Sequence, residues 1–282
     1  MRFVWIVLAV LWLPAVALAK DVATGAAAFA VGDFERAARI WQPLAAAGDP
    51  AAQNRLGELY EFGRGVAQDG AEAMRLYRLS AAQGHAPAQA NLGWAYSLGT
   101  IVPADEAESV RWYRLAAAQG HVIATYNLGW HLENGRGAPV DLAEARRLYL
   151  AAAEGGHPPA MAGIGYMLRE GQGGPADPDG ARRWIAAGAQ AGDAWCQNEL
   201  GLSYFFGDGV AQDYAEAARW FERAADQGHS AAMNTLGHLY DTGRGVERDP
   251  DAARLLFDRA ARAGNEVAQV NLAWYLSQGL GG

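Results

Sequence analysis

The chain has 282 residues, 51% of them hydrophobic and 10% aromatic, enough for a buried core, and only 19% charged, which together argue against disorder. A net charge of −8 argues against sequence-independent nucleic-acid binding, which needs Lys and Arg to displace counterions. One cysteine excludes an intramolecular disulfide framework and any Cys-cluster zinc site, and with Lys20 as the single lysine little is left for lysine-based catalysis.

The first element is an export leader at 1–19. Met1-Arg2 is a minimal positive start, Phe3 to Leu13 is unbroken apolar sequence, and Ala17-Leu18-Ala19 is a small-residue cleavage site before Lys20. The alternative is an uncleaved anchor, but the run is short for a span of about 20 residues. The residue directly after the cleavage point is Lys20 and not cysteine, so the mature chain is expected to be periplasmic or secreted, not a lipoprotein, with no transmembrane span. Residues 20–49 read as an N-terminal cap, a short Ala-rich helix at about 22–30 followed by a second helix.

From there one pattern repeats. Leu56, Leu92, Leu128, Ile164, Leu200, Leu236 and Leu272 stand 36 residues apart, each followed by Gly except at Ala273. Gly63, Gly99, Gly135, Gly171, Gly207, Gly243 and Gly279 recur seven positions on. A period in this range marks a solenoid or array. Each copy predicts two helices. The first, about Ala51 to Phe62, packs through Leu56, Gly57 and Tyr60 and stops at Gly63. The second starts at the Asp69, Asp105, Asp141, Asp177, Asp213 and Asp249 column, an N-cap signal. Glu72, Glu108, Glu144 and Glu216 lie three residues further on, as in a capping box, each with an Arg three beyond. Large residues such as Tyr77, Tyr113, Tyr149 and Phe221 and small ones such as Ala81 and Ala117 line this helix. Six repeats are expected at 50–85, 86–121, 122–157, 158–193, 194–229 and 230–265, with a C-terminal capping helix in 266–282.

Ala52, Leu56, Gly57, Tyr60, Gly63, Gly65, Val66, Asp69, Ala73, Tyr77, Ala81, Ala82, Gly84 and His85 resemble the Sel-one-like repeat (SLR) family, a 36-residue branch of the tetratricopeptide-like repeats. The resemblance implies an all-α, right-handed superhelix of helix pairs acting as a non-enzymatic adaptor for proteins or peptides, in envelope signalling or complex assembly. Two departures stand out. The Thr100-Ile101-Val102 loop lacks the second glycine, and Trp195-Cys196 replaces a small pair.

The chemistry-bearing residues are sparse. His85, His121, His157 and His229 share one repeat position, so neighbours lie about 10 Å apart, too far to share one zinc ion. They read as helix-boundary residues, and no metal or cofactor is expected. The Gly-x-Gly pairs have helices on both sides and read as turns rather than phosphate loops. Asp177-x-Asp179 and Asp249-x-Asp251 read as helix caps rather than calcium ligands. No Ser-x-x-Lys, Gly-x-Ser-x-Gly or His-Glu-x-x-His occurs, so no catalytic residues are assigned. An enzyme-like binder or hydrolase of cell-wall fragments or β-lactams is the alternative reading. Cys196 occupies the slot of Ala88 and Ala124 and reads as a buried, inert thiol.

A second stripe runs along the first helices, starting from Asn54, Glu58 and Glu61. It continues in Trp94, Tyr126, Trp130, Tyr166, Asn198, Phe205, Asn234, His238, Asp241, Asn271 and Trp274. Rings bordered by amides and acids suit peptide or glycan recognition. The expected partner groove centres on Trp94, Tyr126, Trp130 and Tyr166; the other reading is that Trp94 and Trp130 fill space between helices.

Overall fold

The computed structural model describes residues 12–280. Among them the only regular elements are fifteen α-helices. After α1 (Trp12–Ala30) and α2 (Phe34–Ala46) come the pairs α3 (Pro50–Phe62) and α4 (Gly70–Ala82), then α5 (Ala86–Leu98) and α6 (Glu106–Ala117). They continue as α7 (Val122–Asn134) and α8 (Leu142–Glu154), then α9 (Pro158–Glu170) and α10 (Pro178–Gln190). The last are α11 (Ala194–Phe206) and α12 (Tyr214–Asp226), α13 (Ser230–Thr242) and α14 (Pro250–Arg262), and α15 (Glu266–Ser277). The chain forms two units, 1–141 and 142–282, so the division falls between α7 and α8. Within each unit every helix packs on the next one in sequence. The first eleven residues of the expected leader lie outside the described residues. The backbone of the rest belongs to α1, which starts earlier than expected because Leu13 and the alanines at 15, 17 and 19 are strong helix formers.

The repeat columns fix the packing. In the first helix of each pair, Ala52, Ala88, Ala124, Ala160, Cys196, Ala232 and Ala268 are completely buried. In the second, Tyr77, Tyr113, Tyr149, Phe221 and Phe257 are buried. The glycine after each Leu makes room for that ring: a Cβ on Gly57 would stand 2.7 Å from the Tyr77 ring, and one on Gly93 would stand 2.6 Å from Tyr113. Such separations are inside van der Waals contact, so only hydrogen fits.

The turn glycines serve two purposes. Gly63 takes φ +63° to end α3, its N–H donating to Leu59 O. At Gly65, Gly137, Gly173 and Gly245 the second glycine of the turn presses on backbone from the preceding repeat. A Cβ on Gly65 would meet the Phe34 carbonyl carbon at 2.3 Å, and one on Gly137 would meet Glu106 O at 2.0 Å. The departure at Ile101 is answered on the partner side. The residue equivalent to Phe34 and Glu106 is Gly70 there, and Ile101 packs where its side chain would be, in the core of α4 and α5. Cys196 is answered in the same way. Its partner in the preceding helix is Gly188 where the other copies have Ser80 or Ala, and a Cβ there would lie 2.5 Å from the Cys196 sulfur. Cys196 is fully buried, which pushes its thiol pKa up and keeps it protonated.

The capping expectation needs one correction. Asp69, Asp105, Asp177, Asp213 and Asp249 do accept backbone N–H bonds from the first turn of their helices. The glutamates three residues on do not close a capping box. The N-cap backbone N–H is already bonded to the preceding helix, Asp69 N to Tyr60 O and Asp213 N to Tyr204 O. Each Glu therefore turns outward to its Arg, as in Glu72–Arg75, Glu108–Arg111, Glu144–Arg147 and Glu216–Arg219. These exposed pairs contribute a few tenths of a kcal/mol each, roughly.

The histidine column is a second N-cap column, with Asp49, His85, His121, His157, Asp193, His229 and Asn265 preceding successive first helices. Asp49, Asp193 and Asn265 accept from the third residue of their helices, and His121 and His229 do the same through Nδ1, 3.2 Å from Ala124 N and Ala232 N. That bond requires an unprotonated Nδ1. Burial lowers the pKa of both rings. A folded-state pKa below the unfolded value of about 6.5 gives stability that is present above that value and lost as pH falls through the folded pKa. Replacing both histidines by Asp, as in Asp49 and Asp193, should therefore flatten the fall in Tm between about pH 7 and pH 5. An unchanged pH profile in the double variant would show that these caps do not titrate.

Candidate functional site

In the first unit, α3, α5 and the start of α7, with Phe29 of α1, enclose a groove of about 520 Å³. Its apolar rim is Phe62, Trp94 and Ile123, which are 56%, 47% and 54% exposed. At this exposure about half of Trp94 is open to solvent. Its polar side is a bonded set. Asn54 Nδ2 donates to Glu58 Oε1 at 2.9 Å, Asn91 Nδ2 to Asn54 Oδ1 at 3.0 Å, and Arg55 to Glu58 Oε2 at 2.9 Å. These bonds hold Asn54 and Glu58 in fixed rotamers before anything binds.

Deeper in the groove, Glu61 is only 9% exposed. The Tyr77 hydroxyl donates to Glu61 Oε2 at 2.6 Å. Burial holds the Glu61 carboxyl above the usual carboxylate range, offset in part by the Tyr77 bond and reinforced by Glu58. The same burial, with the bond to Glu61, pushes the Tyr77 hydroxyl up.

The structure redistributes the expected aromatic stripe. Trp94 and Glu58 line the groove. Tyr126 and Trp130 are half-buried on α7 and do not line it; that helix contributes Ile123 and Asn127 instead, and its N-cap contributes His121. Trp130 meets His131 edge-on at 5.3 Å and carries the Arg136 guanidinium 5.3 Å from its ring centre. Tyr166 belongs to the second unit, where it meets Trp195 edge-on at 6.4 Å. The Arg169 guanidinium lies 5.8 Å from the Tyr166 ring and 5.6 Å from that of Trp195, and it pairs with Glu199. Asn198 is buried, its Oδ1 without a hydrogen bond. Phe205 packs among Phe206, Tyr214 and Phe221. Asn234 accepts from Asn271 Nδ2 at 2.8 Å, a link between α13 and α15. His238 and Trp274 are exposed, and Trp274 meets Tyr275 edge-on at 5.5 Å. The stripe thus divides into one groove, a self-paired aromatic cluster and several inter-helix staples.

Sequence reasoning missed Asn91, Asn127, Phe62 and Ile123. It also missed a buried triad-like line: Ser109 Oγ is 3.3 Å from His131 Nε2, and His131 Nδ1 is 3.2 Å from Glu106 Oε2. Ser109 and His131 are 0% and 1% exposed, and the Ser109 hydroxyl donates to Gly93 O at 2.8 Å. A nucleophile needs access to its substrate; this hydroxyl has none, and the cluster ties α5, α6 and α7 together.

A family described as Sel1 repeat matches residues 50–85, 86–121, 122–157, 158–193, 196–229 and 230–265. No curated protein matches the chain significantly. Among solved structures, a Sel1 repeat protein from Oxalobacter formigenes is 34% identical with a TM-score of 0.77, over 85% of this chain and 96% of that one. A protective antigen of uropathogenic Escherichia coli strains displaying an SLR fold is 36% identical with a TM-score of 0.76, over 86% of this chain. The match spans about half, 52%, of that antigen.

Proposed function

Because the chain belongs to the Sel1 repeat family, we propose that it is a non-enzymatic interaction scaffold whose first unit docks a segment of a partner protein in the Trp94 groove. The observation that carries this reading is the exposed rim of Phe62, Trp94 and Ile123 beside a prearranged amide and carboxylate set. Rings and the aliphatic side chain supply area, and fixed polar groups supply direction at low ordering cost. No covalent step is involved. The leader-like sequence at 1–19 supports export, with a role in envelope signalling or complex assembly. The test is a photo-reactive residue at position 94, or at the exposed Arg111 position of α6, in cells making the full chain. The expected result is a discrete protein adduct from 94, none from 111, and exported protein beginning at Lys20. Adducts from 111 alone would refute the docking face.

A further inference from the structure

Several rings of this protein carry their own cation. Arg111 lies 4.4 Å from the Trp112 ring centre, Arg223 lies 4.4 Å from Trp220, and Arg136 lies 5.3 Å from Trp130. In the second unit the column that begins with Glu58 and Trp94 reaches Tyr166. There, Arg169 sits by two rings and pairs with the Glu199 carboxylate. Trp94, like Trp274 and Phe206, is an exposed ring without a cation of its own among the described residues. It is 47% exposed.

The carboxylate half of the arrangement is nevertheless present. Glu61 is more than nine-tenths buried and lines the groove. Its Oε2 accepts from Tyr77, while its Oε1 accepts no hydrogen bond among the described residues. Glu58 lines the same groove, its bond to Arg55 half-exposed. Two cations of the chain also line the groove: Arg55 is paired to Glu58, and the Arg64 guanidinium lies 5.1 Å from the Phe62 ring centre and 5.7 Å from that of Phe34, so neither covers Trp94. A buried carboxylate with an open lone pair, in the same groove as an open indole face, is complementary to a cation that combines charge-assisted hydrogen bonding with ring contact.

We propose that the groove receives a basic side chain, Arg or Lys, from an extended segment of the partner protein, with its cation on the open face of Trp94 and paired to the Glu58 and Glu61 carboxylates. This rests on the reading of the groove as a docking surface. It supplies from outside what Arg169 supplies from within in the second unit. Apolar residues flanking the basic one would cover Phe62 and Ile123.

The experiment is selection from a random peptide library on the full chain, with the Trp94→Leu chain selected in parallel. Peptides enriched on the natural chain alone should carry Arg or Lys at one fixed place among apolar residues. In calorimetry, replacing that residue by citrulline or norleucine should weaken binding about tenfold or more. Glu61→Gln, which keeps an acceptor for Tyr77 and so preserves the fold, should abolish most of that discrimination. Trp94-dependent peptides without a basic preference, or discrimination unchanged in Glu61→Gln, would overturn the inference while leaving the docking surface standing. Absence of any Trp94-dependent enrichment would overturn both.

Discussion

Gly137→Ala should cost the first unit about 2–5 kcal/mol, against about 1 kcal/mol for Gly120→Ala. Both glycines have positive φ, +72° and +78°, so the penalty for placing a side chain in the left-handed region is common to them. They differ in what the new Cβ meets. At Gly120 there is nothing within 4 Å, whereas at Gly137 it would lie 2.0 Å from the Glu106 carbonyl oxygen and 2.3 Å from its carbon. Those atoms belong to the backbone of the first turn of α6, which cannot rotate aside as a side chain would. Relief would have to come from separating the turn after α7 from α6. That movement would also strain the Glu106–Arg136 ion pair and the His131–Arg136 O bond of 3.0 Å. Urea denaturation of the two variants measures the difference. Equal losses would mean that the second glycine of the turn is selected for backbone conformation alone.

The pair Gly188 and Cys196 should behave as a single unit. Gly188→Ala brings a methyl to 2.5 Å from the Cys196 sulfur and 3.2 Å from Met161 Cβ, an overpacking that costs about 1–3 kcal/mol. Cys196→Ala leaves a small void in a fully buried slot and costs about 1 kcal/mol. The double variant recreates the Ala pair of the other copies, Ala116 with Ala124, Ala152 with Ala160 and Ala224 with Ala232, all buried. It should therefore be more stable than the sum of the single losses by about 1–2 kcal/mol. Additive losses would show that Gly188 and Cys196 vary independently.

These two predictions also mark how far the sequence could be read. The first-helix spans, the Gly63 stop and the Asp69 cap were visible because each depends on a local signal repeated at a fixed spacing. The exchange of Gly70 for Ile101, and of Gly188 for Cys196, was legible as two separate departures but not as compensation, because the partners touch only after helices have stacked. Polar staples were missed for a different reason. Gln53, Gln89 and Gln197 recur at the repeat spacing and accept from Gln83, Gln119 and Gln227 at 2.9, 2.7 and 2.8 Å. Attention to apolar periodicity passes over such residues because a glutamine column looks like solvated surface. The stripe itself was found by period, but period cannot separate a ring covered by its own Arg136 from one left open like Trp94. That difference is set by loop and neighbouring-helix residues outside the column.

The groove's role is tested most directly by hydrogen exchange on the full chain with and without the partner recovered by crosslinking from position 94. Docking in the first unit predicts slowed exchange in the segments around 54–62, 87–94 and 121–127, which line the groove, and unchanged exchange in α6. Protection confined to α6, or to the second unit, would contradict it.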